Sequence, residues 1–167
     1  PETKEPYNGK VAQYYYDSKQ KESEGSHKNG KRDSLWTFYY EDGKKKTEMT
    51  YKYGMKWGLC TEYYGTTKNI MVDDIVGKVD MNNKLGYKRP KDEPDPPGYD
   101  NPDWKKSEGN YIRDLKDGIH TEYYWNGEKK SEITYKDGKD IEVHNEWYSN
   151  RKKKWEKSYK DGNRIHT

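Results

Sequence analysis

Two histidines, His120 and His144, stand 24 residues apart in similar surroundings, and paired imidazoles raise the question of a metal site. If that step is one hairpin of two strands, equivalent residues lie about 9.5 Å apart. Zn–N bonds are about 2 Å, so one ion cannot take both rings. His27 and His166 sit in other phases. The carboxylates Glu62, Glu122 and Glu146, with Glu48, Glu132 and Glu156, could in principle supply the acid and base of glycoside hydrolysis. A catalytic pair is needed once, however, and these residues recur in nearly every unit facing lysines, so they read as cross-strand ion pairs. Cys60 has no second cysteine to bridge. It occupies the position of Trp36 one unit earlier, as a small hydrophobe would. No phosphate-cradling glycine loop or nucleophile motif is present. The expectation is therefore no catalytic residue, no cofactor and no metal. What remains is a ladder of rings, Tyr40, Tyr64, Tyr124 and Tyr148, with Tyr16 extending it; exposed rings at a fixed step could grip an extended partner or stack on sugars.

These residues are positioned by an internal repeat of about 24 residues. Tyr15-Tyr16, Tyr39-Tyr40, Tyr63-Tyr64, Tyr123-Tyr124 and Trp147-Tyr148 mark it, as do Ser23-Glu24, Thr47-Glu48, Ser107-Glu108, Ser131-Glu132 and Trp155-Glu156. Gly30, Gly54, Gly138 and Gly162 keep the same phase. Self-similarity at this period signals an array, and arrays mostly bind. Each half unit is rich in Tyr and Thr and ends in a glycine turn, so the unit reads as strand, turn, strand, turn. Asn29-Gly30, Asn126-Gly127, Asp137-Gly138 and Asp161-Gly162 supply positive-φ turn chemistry. Helical periodicity is absent.

The composition fits a thin sheet. Val, Leu, Ile and Phe make up only about a tenth of the chain, a level associated with disorder. Yet there are 18 Tyr and 6 Trp, and 33 basic against 30 acidic residues leave a net charge of +3. Rings can bury their faces while their polar tips stay wet. The near-neutral balance argues against nucleic acid, and no stretch approaches the roughly 20 apolar residues of a transmembrane segment.

Period-2 alternation sorts each first strand into two faces. One carries Leu35, Leu59, Ile119 and Val143, then Thr37, Thr61, Thr121 and Asn145, then Tyr39, Tyr63, Tyr123 and Trp147. Its regularity marks it as the packed face, joined by Met49, Ile133, Tyr51, Tyr135 and Tyr159 of the second strands. The other carries Trp36, Cys60, His120 and His144, then Phe38, Glu62, Glu122 and Glu146, then the tyrosine ladder. Its variable first position marks it as exposed. The expected partner-binding residues are Trp36, Phe38, Tyr40, Tyr64, His120, Tyr124, His144 and Tyr148. On that reading, serine at Tyr40, Tyr64 and Tyr124 leaves the fold intact and weakens binding.

The segments Trp36 to Gly58 and His120 to Lys139 resemble the variant MORN repeat, which occurs in the YwqK-family antitoxins and in many bacterial surface proteins and lipoproteins. The likeness covers about residues 12–64 and 104–163. Residues 65–103 depart from it, and the terminal glycine of the unit is replaced at Ser34 and Glu142. The resemblance implies stacked hairpins in an elongated sheet, with protein or membrane-surface partners and no catalytic residues.

The expected fold is all-β: an elongated array of antiparallel β-hairpin repeats forming one continuous twisted sheet of about six units. Residues 1–10 read as an N-terminal tether or cap, 11–80 as a first block of hairpins, 81–98 as a Pro-rich insertion loop and 99–167 as a second block. Residues 69–80 read as a degenerate hairpin. The polar tether points to an extracytoplasmic place, secreted or lipid-anchored. The expected function is a non-catalytic scaffold for protein–protein interaction, antitoxin- or immunity-like or part of a larger assembly. The alternative is a secreted or surface-anchored module recognising glycan or cell envelope.

Overall fold

A computed structural model describes residues 5–65, 104–160 and 163–165. It contains eleven strands: β1 (Gly9–Tyr14), β2 (Lys21–Lys28), β3 (Lys31–Tyr39), β4 (Lys45–Lys52), β5 (Met55–Tyr63), β6 (Lys105–Ile112), β7 (Leu115–Tyr123), β8 (Lys129–Lys136), β9 (Lys139–Trp147), β10 (Lys153–Lys160) and β11 (Asn163–Ile165). All eleven form one antiparallel sheet in sequence order. Among the described residues there is no helix, so none is long and apolar enough to cross a membrane. β5 is hydrogen-bonded directly to β6, which makes the two blocks one continuous sheet. The degenerate hairpin at 69–80 and the Pro-rich loop at 81–98 lie outside the described residues.

Two kinds of turn alternate. Even strands pass to odd ones through Asn29-Gly30, Tyr53-Gly54, Arg113-Asp114 and Asp137-Gly138, with positive φ at both residues of each pair. That is the type I′ conformation, whose twist matches that of the flanking strands. Odd strands pass to even ones through a longer loop. In it the Tyr40 amide donates to the Lys44 carbonyl at 2.8 Å and the Gly43 amide to the Tyr40 carbonyl at 2.9 Å. Tyr124 and Tyr148 repeat the arrangement, with Gly127 and Arg151 in the position of Gly43. In the first unit this loop is one residue longer, and the Tyr15 amide donates to the Gln20 carbonyl. Tyr14-Tyr15 are therefore the equivalents of Tyr39-Tyr40. Tyr16 is fully exposed and stands outside the ladder it was expected to extend.

The register decides which side chains share a face. Trp36 lies opposite Met49, Met49 opposite Cys60, Cys60 opposite Gly109, Gly109 opposite His120, His120 opposite Ile133, and Ile133 opposite His144. This single row across the sheet holds the most buried hydrophobic side chains among the described residues, Trp36 and Met49, each 2% exposed. Met49, Ile133, Tyr51 and Tyr135 thus belong with Trp36 and His120, not with Leu35 as expected from apolarity alone. The side chains of Val143 and Tyr159 lie outside the described parts. A one-residue difference in pairing moves a whole strand's side chains to the other face, so register overrides an assignment by composition.

Candidate interaction surface

The eight residues expected to bind a partner fall into two groups. Four of them occupy the central row or flank it. The Trp36 indole lies on Gly25, where an added Cβ would come within 2.4 Å of the ring. Its Nε1 donates to the Ser26 carbonyl at 3.0 Å, and the Arg32 guanidinium covers it at 4.4 Å. Phe38 stacks beside Trp36, with 6.2 Å between centroids. His120 lies on Gly109 in the same way, an added Cβ meeting its ring at 2.2 Å, and its Nε2 is 2.7 Å from the Asn110 carbonyl oxygen. A neutral ring donating through Nε2–H fits this contact. His144 meets Trp155 edge-on at 4.6 Å. Burial holds both imidazoles below their ordinary pKa.

Large over small recurs along the row: Trp36 on Gly25, Cys60 beside Met49, His120 on Gly109. At Trp36 and His120 the ring at this variable position sits over a glycine of the preceding strand, which is a packing relation. In the sequence the variation reads as the freedom of an exposed site, and the burial of Trp36 corrects that.

Three of the other four residues tie hairpins together. Tyr40 Oη donates to the Tyr63 carbonyl at 3.0 Å, Tyr64 Oη to that of Tyr123 at 2.7 Å, and Tyr124 Oη to that of Trp147 at 2.8 Å. Tyr15 supplies the same bond to Tyr39 at 2.6 Å. Each phenol thus bonds the backbone of the next odd strand. Tyr64 stacks on Trp125 at 4.2 Å. Tyr124 is buried rather than exposed, and Tyr148 is half-buried under Lys154.

On the opposite face, Glu24, Thr37, Glu48, Thr61, Glu108, Thr121 and Glu132 form a row in register. The threonines are buried. Tyr39, Tyr63 and Tyr123 donate their hydroxyls to Glu24, Glu48 and Glu108. Lys21, Lys45 and Lys105 pair with the same carboxylates. The hydrogen bonds from Lys21 and Tyr39 hold Glu24 below the ordinary carboxylate range, and Lys105 and Tyr123 do the same for Glu108. Burial, then the bonded glutamate, pushes the Tyr39 and Tyr123 phenols up to about 12. These carboxylates are saturated by fixed donors. Cys60 is buried, and that burial pushes its thiol up to about 11, far from the thiolate that a nucleophile requires.

Two residues before each buried threonine stands an exposed aliphatic side chain. Leu35, Leu59 and Ile119 are 53%, 51% and 56% exposed. The period of two puts them on the face of the glutamate row. Leu35 lies opposite Thr50, Leu59 opposite Asn110 and Ile119 opposite Thr134, one aliphatic residue per hairpin. Alternation predicted this grouping correctly but named the face as packed, and the exposure of its aliphatic row corrects that. No family model, curated protein or solved structure matches the chain.

Proposed function

We propose that the chain is a non-catalytic repeat scaffold that binds a protein partner along the row of Leu35, Leu59 and Ile119. The supporting observation is that row: three aliphatic side chains, each about half exposed, at equivalent positions of successive hairpins. Two strand spacings set them about 9.6 Å apart. Contiguous exposed apolar surface is a mark of interaction sites. A long partner segment with apolar residues at a similar step would cover it, while the Lys–Glu pairs beside it form a polar rim. In this reading the units are variant MORN-like repeats, and the partner is of the antitoxin, immunity or assembly type.

The test is affinity capture from the native host with mass spectrometry, comparing the natural chain with a Leu35→Lys, Leu59→Lys, Ile119→Lys triple variant. These side chains are exposed, so the variant should keep its β-sheet spectrum. A partner held by the natural chain and lost from the variant supports the proposal. Equal capture by both would move the contact off this face.

A further inference from the structure

One place in the array departs from the repeat, on the face of the aliphatic row. Asp117 on β7 and Lys136 on β8 form an ion pair at 2.8 Å, one residue beyond the paired Gly118 and Tyr135. The same positions on β5 and β6, one residue beyond the paired Gly58 and Tyr111, hold Trp57 and Ile112. An apolar pair thus replaces an ion pair. The period of two puts Trp57 on the face of Leu59. Lys56, one residue earlier, faces the other way and covers the Tyr111 ring, which meets His120 edge-on. Leu115 lies opposite Ile112 and stands where other hairpins have Lys31 and Lys139. Ile112 and Leu115 are 40% and 48% exposed, so with Trp57 they widen the aliphatic row into a patch between Leu59 and Ile119.

The turn beside this patch is also unlike the others. Of the four described type I′ turns, Arg113-Asp114 is the one without glycine, and its residues hold φ of 50° and 68°. That conformation is costly for a residue with a Cβ. Asp114 recovers part of the cost, because its Oδ1 accepts the Lys56 amide at 2.8 Å. The Arg113 guanidinium stands 5.7 Å from the centre of the Trp57 ring, and the Lys52 ammonium, from β4, 5.3 Å from it. Both cations are exposed, and neither forms an ion pair among the described residues. A strained residue that holds a free cation over an aromatic ring points to a site of use.

We propose that this patch is the specificity anchor of the scaffold and takes an acidic segment of the partner protein. An apolar side chain of that segment covers Trp57 and Ile112. A neighbouring carboxylate pairs with Arg113, whose planar guanidinium can take both oxygens, and with Lys52. Trp and Arg are among the residue types enriched at interface anchors. The inference rests on the proposed use of the aliphatic row and adds what that row lacks. Equivalent side chains at a fixed step let a long partner slip by one unit, whereas a feature present once fixes its register.

The test is selection from a random-peptide display library on the immobilised 167-residue chain. The enriched peptides are then synthesised and titrated by fluorescence polarisation. They should carry Asp or Glu close to an aromatic or aliphatic residue. Trp57→Asp with Ile112→Lys installs the pair that Asp117 and Lys136 already form in the next hairpin. This double variant should keep its net charge and thermal unfolding and lose the peptides. Arg113→Asn installs the residue of the Asn29-Gly30 turn and should weaken binding about tenfold, the usual scale for a hydrogen bond to a charged group. Enrichment of nothing, enrichment without acidic residues, or binding that survives both variants overturns the proposal. Peptides that bind the double variant but not the Leu35→Lys, Leu59→Lys, Ile119→Lys variant refute the anchor and leave the row standing. Peptides lost from the double variant alone support the anchor and count against the row.

Discussion

Adjacent tyrosines at the end of an odd strand do different work because they point to opposite sides. Tyr39, Tyr63 and Tyr123 bond glutamates, while Tyr40, Tyr64 and Tyr124 bond the backbone of the next hairpin. Replacing Tyr40, Tyr64 and Tyr124 together with serine removes three such bonds, each about 1 kcal/mol. It also removes three rings, each stabilising by about 2 kcal/mol through burial. The sum, about 9 kcal/mol, matches the whole stability of an ordinary domain. The triple variant should therefore lose its β-sheet circular dichroism at room temperature, and a natural melting temperature would refute the clamp role. Histidine sets a pH dependence. The pKa of His120 is lowered by burial, against the opposing effect of the Asn110 carbonyl, and that of His144 is lowered by burial. The unfolded chain then binds protons first, starting near its ordinary value of about 6.5. The contribution of the neutral rings is complete above that value and is lost as pH falls toward their lower folded pKa values. Urea midpoints should fall between about pH 7 and pH 5, before Glu24 and Glu108 protonate. The combined His120→Phe, His144→Phe variant should show a flatter profile over that window, and an unchanged slope would assign it to other groups.

Strands and turns were legible in the sequence because their chemistry is local. Asn29-Gly30 and Asp137-Gly138 announce type I′ turns, and alternation grouped Leu35 with Thr37 and Tyr39 correctly. What alternation could not give was the identity of the buried face. In a one-layer sheet that depends on the neighbouring strand: Trp36 is buried because Gly25 leaves room beneath it, and Met49 joins it through register. The Tyr14-Tyr15 phase was hidden for a similar reason, since a one-residue longer turn leaves the later Glu24 marker in step. The same comparison of units gives a prediction at the level of the strand. Ser34, Gly58 and Gly118 occupy one bulge position with φ of 63°, 115° and 84°. Ser34, like Glu142, stands where other units have glycine, and its left-handed conformation costs a non-glycine residue about 1–2 kcal/mol. Its side chain bonds only its neighbour Asp33 among the described residues. Ser34→Gly should raise stability by about 1 kcal/mol after the greater backbone entropy lost by glycine. Urea unfolding with an unchanged m-value would report it, and destabilisation would mean that the hydroxyl supports the bulge.

Because strand order follows chain order, each strand pairs only with its neighbours, and length rather than girth grows with every repeat. Among the described residues no second layer covers either face of the sheet, and Tyr hydroxyls, Lys–Glu pairs and cations over rings take the place of a thick aliphatic core. Ten spacings of about 4.8 Å separate β1 from β11, so the ladder is about 48 Å across before side chains are added. A compact chain of this size would have a radius of gyration of about 15 to 16 Å. Small-angle scattering should give a larger radius, with a pair-distance distribution that is skewed toward long distances. The measurement belongs at zero concentration, reached by extrapolation from a dilution series. The elongation that survives dilution is the elongation of one sheet. A compact radius there would mean that the eleven strands curl or fold over in solution and that the aliphatic row of Leu35, Leu59 and Ile119 is covered from within the chain.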